Sequence, residues 1–282
     1  MARMNTRRVK IGGMTQILID LKPRRCDADV FLNTKVDVTN LVKYVDKRKK
    51  DGYETTYFHA FLLALAKTVY NRPKLNRYIK NRHMYEHTNV SMSFVAKVEF
   101  EDDSEEVMLI IEIAPDDNID TISKKISEQI KKLRSKKFEK KGANGVLDFV
   151  GALPNFLRVP LVGFLKWTDE KGILPMDLQK DDLYFASAIV TDIGSLKSDS
   201  IYHNNTNFGT ASSITAIGEI RDDVKVVDGK EKIYKSCKFG INFDERIADG
   251  FYMIKAFKIL EYILENPKLL EDPADTKIDI KK

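Results

Sequence analysis

The sequence predicts an α+β fold built on a mixed sheet. Three observations lead there. The elements run strand, helix, helix, hairpin, helix, helical arm, several strands and a last helix, rather than as alternating βαβ units. No Gly-x-Gly-x-x-Gly opens a helix and no Walker loop occurs, so a nucleotide-binding sheet has no positive signal. The 282 residues are 43% hydrophobic and 32% charged, the balance of a soluble globular chain. A chain of this length buries a large core without disulfides or metals. With no internal repeat or low-complexity linker, the expected organisation is a basic flexible lead over 1–12, a single domain over 13–266 and a polar tail over 267–282.

Val30–Val36 reads as a strand, and Asp37 or Thr39 can cap the helix carrying Val38, Leu41, Val42 and Val45. Thr55 and Thr56 precede a helix marked by Phe58, Phe61, Leu62, Leu65 and Val69, with Pro73 beyond its end. Val90–Phe100 and Val107–Ile113 form a hairpin around the acidic turn Glu101–Glu106. Ile119, Ile122, Ile126, Ile130 and Leu133 mark an amphipathic helix, followed by the charged connector Ser135–Lys141. Leu183–Val190, Ser213–Ile220, Val224–Val227 and Ile233–Phe243 are further strands, with a hairpin turn at Asp228-Gly229. The last helix runs from about Asp249 to Glu265, with Met253, Ile254, Phe257, Leu260 and Leu264 facing inward.

Gly145–Pro175 is apolar and interrupted by Pro154 and Pro160. It reads as an inserted helical arm of two short helices joined at the prolines. Packing against the protein is the first expectation, and contact with a membrane surface is the alternative.

Composition narrows the partners. The net charge is +5 with acids and bases interleaved, which argues against a nucleic-acid footprint. Cys26 and Cys237 sit in no metal-binding spacing and read as reduced thiols of a cytoplasmic protein, with no metal site. No secretory signal follows the basic N-terminus, and no apolar run reaches the roughly 18 residues of a membrane span.

The chemistry-bearing segment is Asp244-Glu245-Arg246-Ile247-Ala248-Asp249-Gly250, where a strand meets a helix. Acids at that junction suit a helix N-terminus whatever else they do. The segment resembles the Asp-His-Arg-x-x-Asp-Gly signature of the catalytic domains shared by chloramphenicol acetyltransferase and the dihydrolipoyl acyltransferases of 2-oxoacid dehydrogenase complexes. Other pieces agree in order: Val36-Asp37-Val38-Thr39 before a helix, Pro73-Lys74-Leu75-Asn76 after one, the following hairpin, and Ile189-Val190-Thr191-Asp192-Ile193-Gly194 for Thr-x-Ser-x-Leu-Gly. Gly145–Pro175 has no counterpart in that pattern.

The resemblance implies a chloramphenicol acetyltransferase-like mixed-sheet sandwich with packed helices. It also implies a homotrimer with sites between subunits, and transfer of an acyl group from a small-molecule thioester with coenzyme A or another thiol as the partner. In such a site histidine deprotonates the thiol and a hydroxyl bonds the oxyanion. Carried over, Thr191 is the oxyanion donor. Asp249 is a structural acid paired with Arg24 or Arg25, and Arg246 and Gly250 complete the frame. Glu245 occupies the histidine position. A carboxylate near ~4.3 and a thiol near ~8.5 leave proton transfer uphill by about four units, against about two for histidine. Burial narrows that gap. His203, in a polar loop after Thr191, is a second candidate base. Of the other histidines, His59 reads as a packed helix residue, and His83 and His87 have no metal partners around them. The alternatives are an active acyltransferase and a catalytically silent trimeric scaffold. The stretch before residue 30 is too short for a lipoyl domain, so any lipoyl group is expected from another subunit.

Overall fold

The computed structural model describes residues 5–97, 106–134, 143–180 and 182–280. Strand β1 (Thr6–Arg8) and helix α1 (Gly13–Leu21) come first, then β2 (Asp29–Asp37), α2 (Thr39–Lys50) and α3 (Tyr57–Asn71). Two hairpins follow, β3 (Arg77–Lys80) with β4 (His83–His87) and β5 (Val90–Lys97) with β6 (Glu106–Ile113), and then α4 (Ile119–Leu133). The helices α5 (Ala143–Gly151), α6 (Asn155–Lys171) and α7 (Met176–Gln179) lead into β7 (Ala188–Asp192), β8 (Ser213–Val227), β9 (Lys230–Asp244) and α8 (Gly250–Glu265). The predicted connector Ser135–Lys141 and most of the turn at 101–106 lie outside the described residues.

The expected α+β architecture is present. Six strands form one mixed sheet in the order β2-β9-β8-β7-β5-β6, and β1-β4-β3 form a small second one. β7 runs parallel to both β5 and β8, and the other pairings are antiparallel. Alternation along β9 divides its two faces. Phe239 belongs to the buried core with Leu41, Leu62, Met92, Ile111 and Leu260, and Ile241 packs against it. Gly240, Asn242 and Asp244 therefore point away from the helices.

Local chemistry explains the element ends. Asp37 accepts from the Thr39 N–H at 2.9 Å, whereas the Thr39 hydroxyl accepts from Lys235 N–H of β9, so Asp37 does the capping. Thr56 caps α3 in a reciprocal box with His59. Asp228 and Gly229 both take positive φ, 51° and 75°, as a two-residue hairpin turn of the primed type requires.

Several expectations change. Part of the predicted flexible lead is strand β1, which pairs with β4. Ser213–Ile220 and Val224–Val227 are one strand, continuous through an irregularity between Ile217 and Ile220. Leu183–Phe185 is a 3-10 turn, and strand structure begins only at Ala188. Pro154 stands at the start of α6, but Pro160 lies inside that helix. As the sixth residue of α6 it removes one helical bond, the one its N–H would give to the Phe156 carbonyl. The polar tail packs: Leu270 and Ala274 are fully buried, and the Lys67 ammonium reaches the Asp272 and Pro273 carbonyls.

Candidate active site

The junction of β9 and α8 is held by charge. Asp244 is fully buried and accepts from Arg246 twice, at 2.7 Å from Nε and 2.6 Å from Nη2, a bidentate pair within one turn. The Arg246 N–H also donates to Asp244 Oδ1 at 3.1 Å, and Nη1 reaches the Lys22 carbonyl at 2.7 Å. Arg25, equally buried, lies 3.9 Å from Asp244 through Nε. Its Nη1 and Nη2 donate to the carbonyls of Thr206 and Gly209 at 2.6 and 3.2 Å. Burial pushes the Arg25 guanidinium down from its ordinary value, and Asp244 opposes that.

The expected pairing of Asp249 with Arg24 or Arg25 is not formed. Asp249 is exposed and caps α8, accepting from the Tyr252 N–H at 2.8 Å. Arg24 pairs with Asp27 at 2.8 Å, and Arg25 turns inward to Asp244. An acid at an N-cap is already satisfied by backbone donors and the helix dipole, so the buried Asp244 draws the cation instead. Gly250 opens the helix behind it.

Glu245 stands at the surface of this knot. Its Oε1 is ion-paired with Lys22 Nζ, and its backbone N–H donates to Ala28 O at 2.9 Å. Thr191 is in register with Ala216, which faces Gly240 on β9. Glu245 lies five residues further along, roughly 16 Å by strand rise and about two strand spacings aside. Thr191 and Glu245 therefore make no contact within one chain.

His203 lies over the same face. A Cβ on Gly240 would collide with the Ile201 carbonyl, so only glycine admits the overlying segment there. Asn205 is tied to Asp29 at 3.0 and 2.6 Å, and Asp29 is the β2 partner of Asp244. His203 is the middle residue of that overlying span. Its Nε2 is buried without a partner among the described residues, as are both amide atoms of Asn242. Tyr202 meets Phe31, the β2 partner of Asn242, edge to face at 5.3 Å.

Sequence reasoning missed a second charged centre beside the first. Lys80 and Asp169 are an almost fully buried ion pair, and Lys80 also donates to the Asn207 carbonyl. Desolvation lowers the Lys80 ammonium to about 8, with Asp169 opposing. Gly209 N–H donates to Asp169 at 3.0 Å, and the Arg25 N–H donates to Asn207 Oδ1 at 2.5 Å, so the 203–209 segment is clamped between the two centres. Lys22, Asn242, Lys80 and Asp169 carry no local pattern that marks them in the sequence. Among the described residues no group of three or more His, Cys, Asp or Glu is placed to hold a metal.

The comparisons agree with this fold. The family model described as 2-oxoacid dehydrogenases acyltransferase (catalytic domain) matches residues 21–147. No curated protein sequence matches the chain. A probable dihydrolipoamide acetyltransferase from Listeria monocytogenes has a similar structure, with a TM-score of 0.61 and 18% identity over 92% of this chain and 94% of that one. The cubic core of a pyruvate dehydrogenase multienzyme complex gives 0.59 and 14%, over 94% and 93%. Chloramphenicol acetyltransferase gives 0.55 and 10%, over 92% and 99%. The chain therefore has the fold of these acetyltransferases, the family model covers residues 21–147 of it, and Glu245 stands where the signature it resembles has histidine.

Proposed function

We propose that the chain transfers an acyl group between coenzyme A, or another thiol, and an unidentified acceptor, as a homotrimer in which neighbouring subunits complete each site. One observation carries this reading. Thr191, Asp244 and the Gly240 position beneath the segment that carries His203 all belong to the sheet face turned away from the helices. The trimer is the assembly the family resemblance implies, and one structural neighbour is the core of a multienzyme complex.

His203 is the base in this reading, because its Nε2 is buried and unpartnered among the described residues while Glu245 is engaged by Lys22. The thiol proton passes to His203, the thiolate attacks the acyl carbonyl of the donor, the Thr191 hydroxyl donates to the developing oxyanion, and its collapse breaks the bond to the donor's leaving group, which takes the proton back from His203. The reaction as written needs no metal. Reduced Cys26 and Cys237 suit a cytoplasmic setting. No helix among the described residues is long and apolar enough to cross a membrane.

The test follows release of free thiol from a set of acyl-CoAs with candidate acceptors. His203→Ala lowers kcat by about 10²–10⁴-fold, the range for a general base, while Glu245→Gln changes it little. The opposite ranking overturns the assignment of the base. The Lys22–Glu245 pair favours a second reading, a silent scaffold of the same fold, in which no acyl-CoA turns over although a defined trimer forms.

A further inference from the structure

Two cavities adjoin between α6 and the 203–209 segment. One, about 310 Å³, is mostly apolar, with Val162, Leu165, Leu174 and Leu178 in its wall and Asp182 and Tyr184 at one side. The other, about 350 Å³, is basic and aromatic, with Arg24, Arg25, Arg82, Arg246 and Trp167 in its wall. Lys166 and Phe208 line both. Both volumes fall in the usual range for small-molecule pockets.

The charges are not equally free. Arg24 is paired with Asp27, Arg82 with Asp20 and Arg246 with Asp244. Glu170, the acid on the basic cavity, accepts from the Asn81 N–H at 2.6 Å and lies 3.8 Å from Lys80. Lys166 has no carboxylate partner among the described residues. The buried Arg25 likewise has an Nε without a hydrogen-bond partner there. An unpaired ammonium thus stands at the border between an apolar chamber and a cationic one. Phe164 and Trp167, both exposed, stack at 6.0 Å on α6, and Trp167 lines the basic cavity.

We infer that this pair of cavities binds an alkyl-chain carboxylate of the fatty-acid class, its chain in the apolar chamber and its head at Lys166 facing the arginines. Chain burial supplies affinity in proportion to methylenes removed from water, and the ammonium fixes which end points where. Binding requires no turnover, so it stands or falls apart from the acyl-transfer reading.

Trp167 is the only tryptophan of the chain and lines the basic cavity, so its emission reports occupancy. The full chain is titrated with dodecanoate below its micelle concentration. A saturable change in Trp167 emission is expected, weakening up to about tenfold for every two methylenes removed from the ligand. Lys166→Gln weakens binding about fivefold, as the loss of one partly exposed charge pair does. Val162→Phe, which fills the apolar chamber from a half-exposed position, weakens it further at unchanged thermal stability. Dodecanol binds less well than dodecanoate, and butanoate or inorganic phosphate alone gives no saturable change. Equal binding of dodecanol overturns the role of Lys166. Saturable binding of phosphate alone overturns the fatty-acid assignment, as does an affinity independent of chain length, and that series needs no variant to fold. Response only to anionic phospholipid vesicles makes the face a membrane contact and overturns it too.

Discussion

Arg246 holds Asp244 through both carboxylate oxygens, two residues away in sequence and with neither side chain more than 1% exposed. Removing one partner of so buried a pair leaves an uncompensated charge, which costs about 3–5 kcal/mol. Arg246→Met is therefore expected to lower the urea midpoint sharply, because Arg25 at 3.9 Å cannot replace the bidentate contact. Unfolding followed by circular dichroism measures it, and a change below about 1 kcal/mol contradicts the proposed role of the pair.

The neighbouring residue behaves differently. Glu245 and Lys22 form a pair with side chains about a third exposed, which places it among surface ion pairs of about 0–1 kcal/mol. Lys22→Gln and Glu245→Gln are expected to leave stability within that range. Thermal melts of the two single variants and the double variant give the coupling directly.

His59 links stability to acid. Burial lowers its imidazole from 6.5 to about 4, with the Glu54 backbone and charge opposing. Below pH 6.5 the unfolded chain binds a proton that the folded one refuses until about pH 4. Stability is therefore present above 6.5 and lost as the pH falls through that window, by on the order of 3 kcal/mol. A glutamine at this position keeps a capping-box side chain without the titration. His59→Gln is expected to flatten the stability profile between pH 6.5 and 4, and denaturant unfolding across that range reads the slope.

Asp182 gives the opposite slope. Burial raises its carboxyl from 3.8 to about 6, only partly offset by the Tyr184 N–H at 2.9 Å. The folded state holds a proton between those values that the unfolded state has released, so stability falls as pH rises from about 4 to 6. Asparagine retains the acceptor oxygen without the charge. Asp182→Asn is expected to raise the melting temperature at pH 7.5 and to change it little at pH 4. An equal shift at both pH values rules out ionisation as the cause.

What the sequence made legible follows from how local each signal is. The α3 stripe, its Thr56 cap and the Asp228-Gly229 turn are written in adjacent residues and appear where expected. The β3–β4 hairpin was hidden because Lys80 and Glu86, both buried, break the apolar alternation, and their partners Asp169 and Arg7 come from outside it. Helix α1 was hidden for the converse reason. Its Met14, Ile17 and Leu21 face solvent, so its pattern does not announce a core. The charged middle of β8 looked like a break, but Asp222 and Asp223 pair with Lys235 and Lys35 across the sheet. At the site, Thr191 was picked out by one motif and Glu245 and Arg246 by another. The Lys22 partner of Glu245, and the exchange of Asp249 for Asp244 as the arginine's acid, depend on residues over 200 positions away and leave no local trace.

The edge strand β2 pairs along its whole length with β9, Asp29 opposite Asp244 and Asp37 opposite Ser236. During synthesis the early strand must therefore wait, with its pairing groups unmet, until the chain has grown past residue 244. Contacts of such sequence separation slow folding and leave an open strand edge exposed to other chains. A ribosome-bound intermediate ending near residue 200 is thus expected to be the form of this protein most in need of a chaperone.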